Sequence, residues 1–163
     1  MQPPVVRRRR PPVALAVFCA AFCAVGSATF VGCGTVPEPI TLDAYLADLQ
    51  SICASTTEQL LALPAAPEQI AVTDLATSAA GLLDEEATRV SRLETPRGTS
   101  ADLAADQRAF VRNTQEQADA WRAVATNGPD RLAESTKLIA ELVGGRNELA
   151  DAMGAPACVR GDL

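Results

Sequence analysis

Proline and glycine divide residues 41–163 into four stretches, each with apolar residues recurring at three- and four-residue steps. That punctuation leaves few folds open, because a 3.6-residue period lines apolar side chains along one helical face that something else must cover. The first stretch, residues 41–63, puts Leu42, Tyr45, Leu46, Leu49, Cys53, Leu60 and Leu63 on one stripe and stops at Pro64 and Pro67. The second runs to Leu93 through Leu75, Ala79, Leu82, Leu83 and Val90, and closes at Pro96 and Gly98. The third opens at Thr99-Ser100-Ala101-Asp102, a start resembling a capping box, in which a hydroxyl and a carboxylate satisfy free N–H groups. It continues through Leu103, Phe110, Val111, Ala118, Trp121 and Val124 to a break at Asn127-Gly128-Pro129. The fourth, residues 130–153, carries Leu132, Ile139, Leu142, Val143, Leu149 and Met153. Gly154 suits the left-handed residue that follows a helix, and Pro156 forbids continuation. Gly144-Gly145 interrupts the fourth stretch and marks either a kink or a close helix contact.

Four amphipathic helices on short connections predict an all-α domain, an up-down-up-down four-helix bundle over residues 41–163, preceded by an N-terminal signal peptide. Strand alternation and fixed-period repeats are absent from the sequence. After residue 33 the only aromatics are Tyr45, Phe110 and Trp121. The core is therefore expected to be leucine, valine and alanine, which lets helices approach closely and leaves little room for a large ligand.

Residues 1–32 read as a lipoprotein-type signal peptide. Arg7, Arg8, Arg9 and Arg10 precede an uncharged run over residues 13–31, whose charged flank belongs on the cytoplasmic side. Phe30-Val31-Gly32-Cys33 resembles the bacterial lipobox, in which the cysteine after a small residue becomes the acylated N-terminus; Phe30 stands where leucine is usual. Residues 33–40 are then an acylated cysteine and a short tether, at most ~25 Å long at ~3.3–3.6 Å per residue over its last seven residues. Two other outcomes stay open. Cleavage after Ala28, with Gly26 and Ala28 as the small residues, gives a soluble secreted product. An uncleaved run is long enough to span a bilayer, which takes ~17–25 residues.

Of five cysteines, Cys19 and Cys23 leave with the leader. With Cys33 lipidated, Cys53 and Cys158 remain, an even pair suited to an oxidising compartment. In an up-down-up-down bundle the fourth helix ends near the start of the first, so the tail from Ala155 can present Cys158 to Cys53. The alternative is two unpaired cysteines buried as small apolar groups.

Tyr45-x7-Cys53 on the first helix, proline-separated amphipathic helices and Gly154-Ala155-Pro156-Ala157-Cys158 resemble a group of small actinobacterial cell-envelope lipoproteins, over residues 33–158. The resemblance implies a helical, exported, disulfide-bridged domain and implies no activity.

The chain has no histidine, which removes Ser-His-Asp and Cys-His catalysis and histidine-ligated metals. Four of its 14 basic residues sit in the leader, and all 20 acidic residues follow Cys33. From residue 33 onward 10 basic groups therefore face 20 acidic ones, a balance of −10. Such a domain should not bind nucleic acid, and anionic headgroups should repel it unless a covalent anchor holds it there. Asp84-Glu85-Glu86 reads as a solvated face paired to Arg89 rather than a calcium site. Asp102 with Asp106, and Glu116 with Asp119, share helix faces but give no sign of the burial that acid–base work needs. Trp121 and Phe110 read as core rather than as a ligand platform. Ser135 and Lys137 match no nucleophile motif, and Arg160-Gly161-Asp162 reads as a coincidental integrin-type tripeptide. No metal and no cofactor are expected. The expected function is a non-enzymatic, membrane-anchored envelope module, held by membrane lipid through acylated Cys33 and binding an envelope protein or serving structure. The alternatives are a small apolar-ligand carrier, which requires a lined internal cavity near Trp121, and an enzyme using carboxylates alone.

Overall fold

A computed structural model describes residues 38–64, 69–99 and 101–161. The expected leader, the expected lipidation site Cys33 and the first residues of the tether lie outside them.

The domain is all-α. Its helices are α1 (Leu42–Leu61), α2 (Gln69–Ser91), α3 (Ala101–Asn127) and α4 (Leu132–Met153). Short 3-10 turns at Gly128–Arg131 and Pro156–Cys158 follow α3 and α4. Thr41 caps α1: its backbone is extended and its Oγ1 accepts the Ala44 N–H at 3.2 Å. Such a cap contributes ~1 kcal/mol. At the start of α3, Ser100 lies outside the described residues. The Thr99 hydroxyl donates to the Pro96 carbonyl at 2.8 Å instead of capping the helix. Gly128 and Gly154 adopt positive φ (67° and 72°) and turn the chain out of α3 and α4. At the end of α4 the Gly154 N–H reaches the Asp151 carbonyl at 3.0 Å and the Ala155 N–H reaches the Ala150 carbonyl at 2.9 Å. These two bonds are the Schellman pattern, as glycine at this position predicts.

Gln107 of α3 donates to the carbonyls of Val90 (2.8 Å) and Leu93 (3.0 Å), closing the open end of α2 from the neighbouring helix. The start of α3 thus lies beside the end of α2. Gln59, Ala62 and Leu63 line a cleft with Ser78, Gly81 and Leu82, which sets the end of α1 against the middle of α2. Successive helices run antiparallel, and α1 begins where α2 ends.

The main core joins Tyr45, Leu49 and Cys53 of α1 to Val90, Phe110, Ala150, Met153 and Cys158. A smaller cluster of Ala120, Ile139 and Val143 packs with half-buried Trp121 between α3 and α4. Alanines 76, 79, 80, 87, 118 and 120 are buried on α2 and α3. Small side chains at such positions let neighbouring helices approach closely.

Two expectations need correction. Leu42 is 43% exposed, while Ile52 and Thr56 are buried. The true stripe is Tyr45, Leu49, Ile52, Cys53 and Thr56, and Leu42 sits on the first turn beyond the core. Gly144-Gly145 does not interrupt α4, which runs unbroken to Met153. A methyl group at Gly144 would meet nothing, and one at Gly145 would make an ordinary 3.4 Å contact with Asn113 Nδ2. Tertiary packing holds the helix through both glycines.

Candidate functional site

The tail after α4 folds back along the bundle, and its 3-10 turn touches both α1 and α4. Cys158 is bonded to Cys53 with an S–S distance of 2.04 Å across a sequence separation of 105. Both cysteines are fully buried. The tail is held by more than this bond. The Asn147 side chain of α4 binds both backbone groups of Arg160, accepting its N–H at 2.9 Å and donating to its carbonyl at 2.7 Å.

Beside the bridge lies a buried ionic cluster. Glu86, from the run expected to be solvated, is fully buried. Its Oε1 accepts from Arg146 Nη2 and its Oε2 from Arg160 Nη2, each at 2.7 Å. Arg146 also donates through Nη1 to the Cys158 carbonyl at 2.7 Å, and its guanidinium carbon lies 4.6 Å from the centre of the Phe110 ring. A cation over an aromatic face is attracted by the ring quadrupole. Arg146 Nη2 approaches Cys53 Sγ at 3.7 Å. The expected surface run therefore splits. Asp84 pairs with exposed Arg122, Glu85 faces solvent, and Glu86 anchors α2 to α4 and to the tail.

Two guanidinium groups against one carboxylate leave the cluster one positive charge in excess. Burial pushes the Arg146 guanidinium down to about 10 against the pull of Glu86, with Arg160 adding like-charge repulsion. Arg146 remains cationic at neutral pH. Burial also pushes Arg160 down, opposed by Glu86. Among the described residues, Arg146 Nε, Arg160 Nε and Arg160 Nη1 have no protein hydrogen-bond partner. Their accessible surface is under 1 Å² each, and through Glu86 the cluster ties α2 to α4 and to the tail.

Helical periodicity could not assign Glu86 to the interior, because three consecutive acidic residues read as one solvated face. The available signal was position: Glu86 lies three residues from Leu83 and four from Val90, on the same apolar face of α2. Arg160, the first residue of the tripeptide read as a coincidental match, is buried; Asp162 lies outside the described residues.

The other candidates stay apart. Asp102 and Glu116 are exposed, and Asp119 pairs with Arg122 on the surface. Lys137 is exposed and 3.9 Å from Glu141, whereas Ser135 is buried. No group of three metal-ligating side chains occurs among the described residues. Beside Ala120 a cleft of about 390 Å³, lined by Glu116, Asp119, Ala123, Leu138 and Leu142, opens broadly to solvent. It is a surface groove and not the internal cavity that an apolar-ligand carrier requires. No helix among the described residues is long and apolar enough to cross a membrane. No protein-family profile, curated protein or solved structure matches this chain.

Proposed function

We propose that this protein is a lipid-anchored, extracytoplasmic helical module of a bacterial cell envelope, working by binding or by supporting structure rather than by catalysis. The observation that carries the reading is the sealed Cys53–Cys158 bridge. Cytosolic thiols are kept reduced, whereas exported domains keep such bonds. A bridge with both sulfurs buried resists thiol attack and serves structure rather than exchange. The arginine-led apolar leader supplies the export route, and Gly32-Cys33 supplies the acylation site. The resemblance to small actinobacterial envelope lipoproteins points the same way. Acyl chains hold by ~0.8 kcal/mol per buried methylene, so two or more give firm attachment. The non-catalytic half rests on how the acidic groups are used. Glu86 is saturated by two guanidinium groups, and Asp84, Asp119 and Glu134 form surface ion pairs. The expected partner is an envelope protein approaching the exposed helix faces.

Intact mass of the protein from the membrane fraction, with and without reduction, tests this reading. The expected species begins at Cys33, carries acyl chains and gains two hydrogens on reduction. A species that retains Met1, or one that begins at Thr29 without lipid, refutes the anchored reading.

A further inference from the structure

Charge is unevenly divided along the mature chain. Over residues 89–112 five arginines meet three carboxylates, a local balance of +2; the rest of the chain from residue 33 carries five basic and 17 acidic groups, or −12. The other cationic side chains of the described domain each have a carboxylate partner: Arg122, Arg131, Lys137, Arg146 and Arg160. Arg89, Arg92, Arg97, Arg108 and Arg112 have none within 4.0 Å among the described residues. All five except half-buried Arg89 are exposed. They occupy the last turn of α2, the connection, and the first ~17 Å of α3 at 1.5 Å per residue.

A groove of about 410 Å³ lies between this connection and α3, and of the five arginines Arg108 and Arg112 line it. Leu93, Ala104 and Val111 give it apolar walls, Ser91 and Thr95 add polar groups, and Arg108 and Arg112 stand at its rim. This end of the bundle is also the end at which the chain enters α1. Ile40 and Leu42, at that entry, are 38% and 43% exposed.

We propose that this arginine-rimmed groove seats anionic phospholipid headgroups, turning the tether end of the domain toward the membrane and its acidic remainder away. Charge complementarity and the short tether on the same end favour a lipid surface over an acidic protein. The distant carboxylates do not cancel the attraction, because at physiological salt charges are screened beyond ~8 Å. A −10 domain is repelled as a whole, but once an acyl anchor fixes one end it orients by the charges nearest the surface. The orienting role rests on the lipid-anchored reading; the headgroup site does not.

The full-length processed protein, reconstituted into vesicles of phosphatidylcholine alone or of equal parts phosphatidylcholine and phosphatidylglycerol, provides the test. Amide hydrogen exchange over residues 91–112 should slow only with phosphatidylglycerol. The protection should vanish near 1 M salt, where the screening length is ~3 Å, and in the variant R92S/R108S/R112S. That variant should keep its disulfide and its far-ultraviolet circular dichroism, because all three side chains are exposed. Equal exchange on both vesicles, or protection that survives the triple substitution, overturns the proposal. Protection by soluble polyglutamate but not by phosphatidylglycerol vesicles also overturns it, assigning the groove to an acidic protein. The mass of the same sample separates the two claims. If Cys33 carries no lipid the anchored reading fails, and flotation with phosphatidylglycerol vesicles then tests the groove alone. Binding that drops on the order of a hundredfold in the triple variant sustains the site, and no binding overturns it.

Discussion

Glu86 uses each carboxylate oxygen for a different arginine, so the three side chains are unequal in what their loss does. Glu86→Gln leaves two buried guanidinium groups without a counter-charge and should cost about 3–5 kcal/mol, the range for breaking a buried ion pair from one side. Arg160→Met leaves a balanced Glu86–Arg146 pair, removes two unpartnered nitrogens and should cost less than half as much. Denaturant unfolding of both variants with the disulfide intact measures the difference; equal losses would mean that the excess charge is immaterial. Little of this was legible in the sequence. Asp84, Glu85 and Glu86 differ by one position each, and a shift of ~100° around a helix takes a residue from water into the core. Arg146, like Glu86, sits on the apolar face of its helix, three residues after Val143 and four before Ala150, but its partner is 60 residues away; Arg160 lies beyond the helix and its partner is 74 residues away. Gln107 is similar: its amide closes α2 from α3, a role visible only once the two helices are antiparallel.

Helix ends were easier to read than helix interiors. Pro64 and Pro156 remove a donor, while Gly128 and Gly154 accept backbone angles that other residues resist, and each acts within its own turn. For the glycine pair in α4 the sequence leaves a kink and a close helix contact both open, and α4 runs through it unbroken. A glycine weakens a helix by ~1 kcal/mol, which tertiary burial of Ile139, Val143 and Met153 readily offsets. Two substitutions separate these roles. Gly144→Ala, in open space inside α4, should stabilise by about 0.5–1 kcal/mol. Gly154→Ala, forced to φ near 72°, should destabilise by about 1–2 kcal/mol. Thermal midpoints that move in opposite directions are the expected result, and a loss at Gly144 would show that the pair has a packing role after all.

At the scale of the molecule, the bridge and the ionic clamp fasten the same segment. Closing a loop across a separation of 105 residues stabilises by up to ~4.7 kcal/mol on the chain-entropy model. The double variant Cys53→Ala with Cys158→Ala should lose a large part of this. The bonds from Asn147 and Glu86 should still hold residues 155–161 against the bundle. Hydrogen exchange should therefore show the tail protected at native pH but the whole domain less stable to denaturant; a tail that exchanges freely would assign its docking to the disulfide alone. The sequence by itself determined four helices and their stops, because periodicity and punctuation are local properties; it favoured a Cys53–Cys158 bridge over two buried thiols, and the tertiary structure supplied the bond. Only the tertiary structure decided that Glu86 turns inward, that α4 ignores its glycines and that Arg89, Arg92, Arg97, Arg108 and Arg112 have no carboxylate partner among the described residues. Each of these depends on which distant side chains share a volume or a surface, and the pattern within a single helix does not encode that.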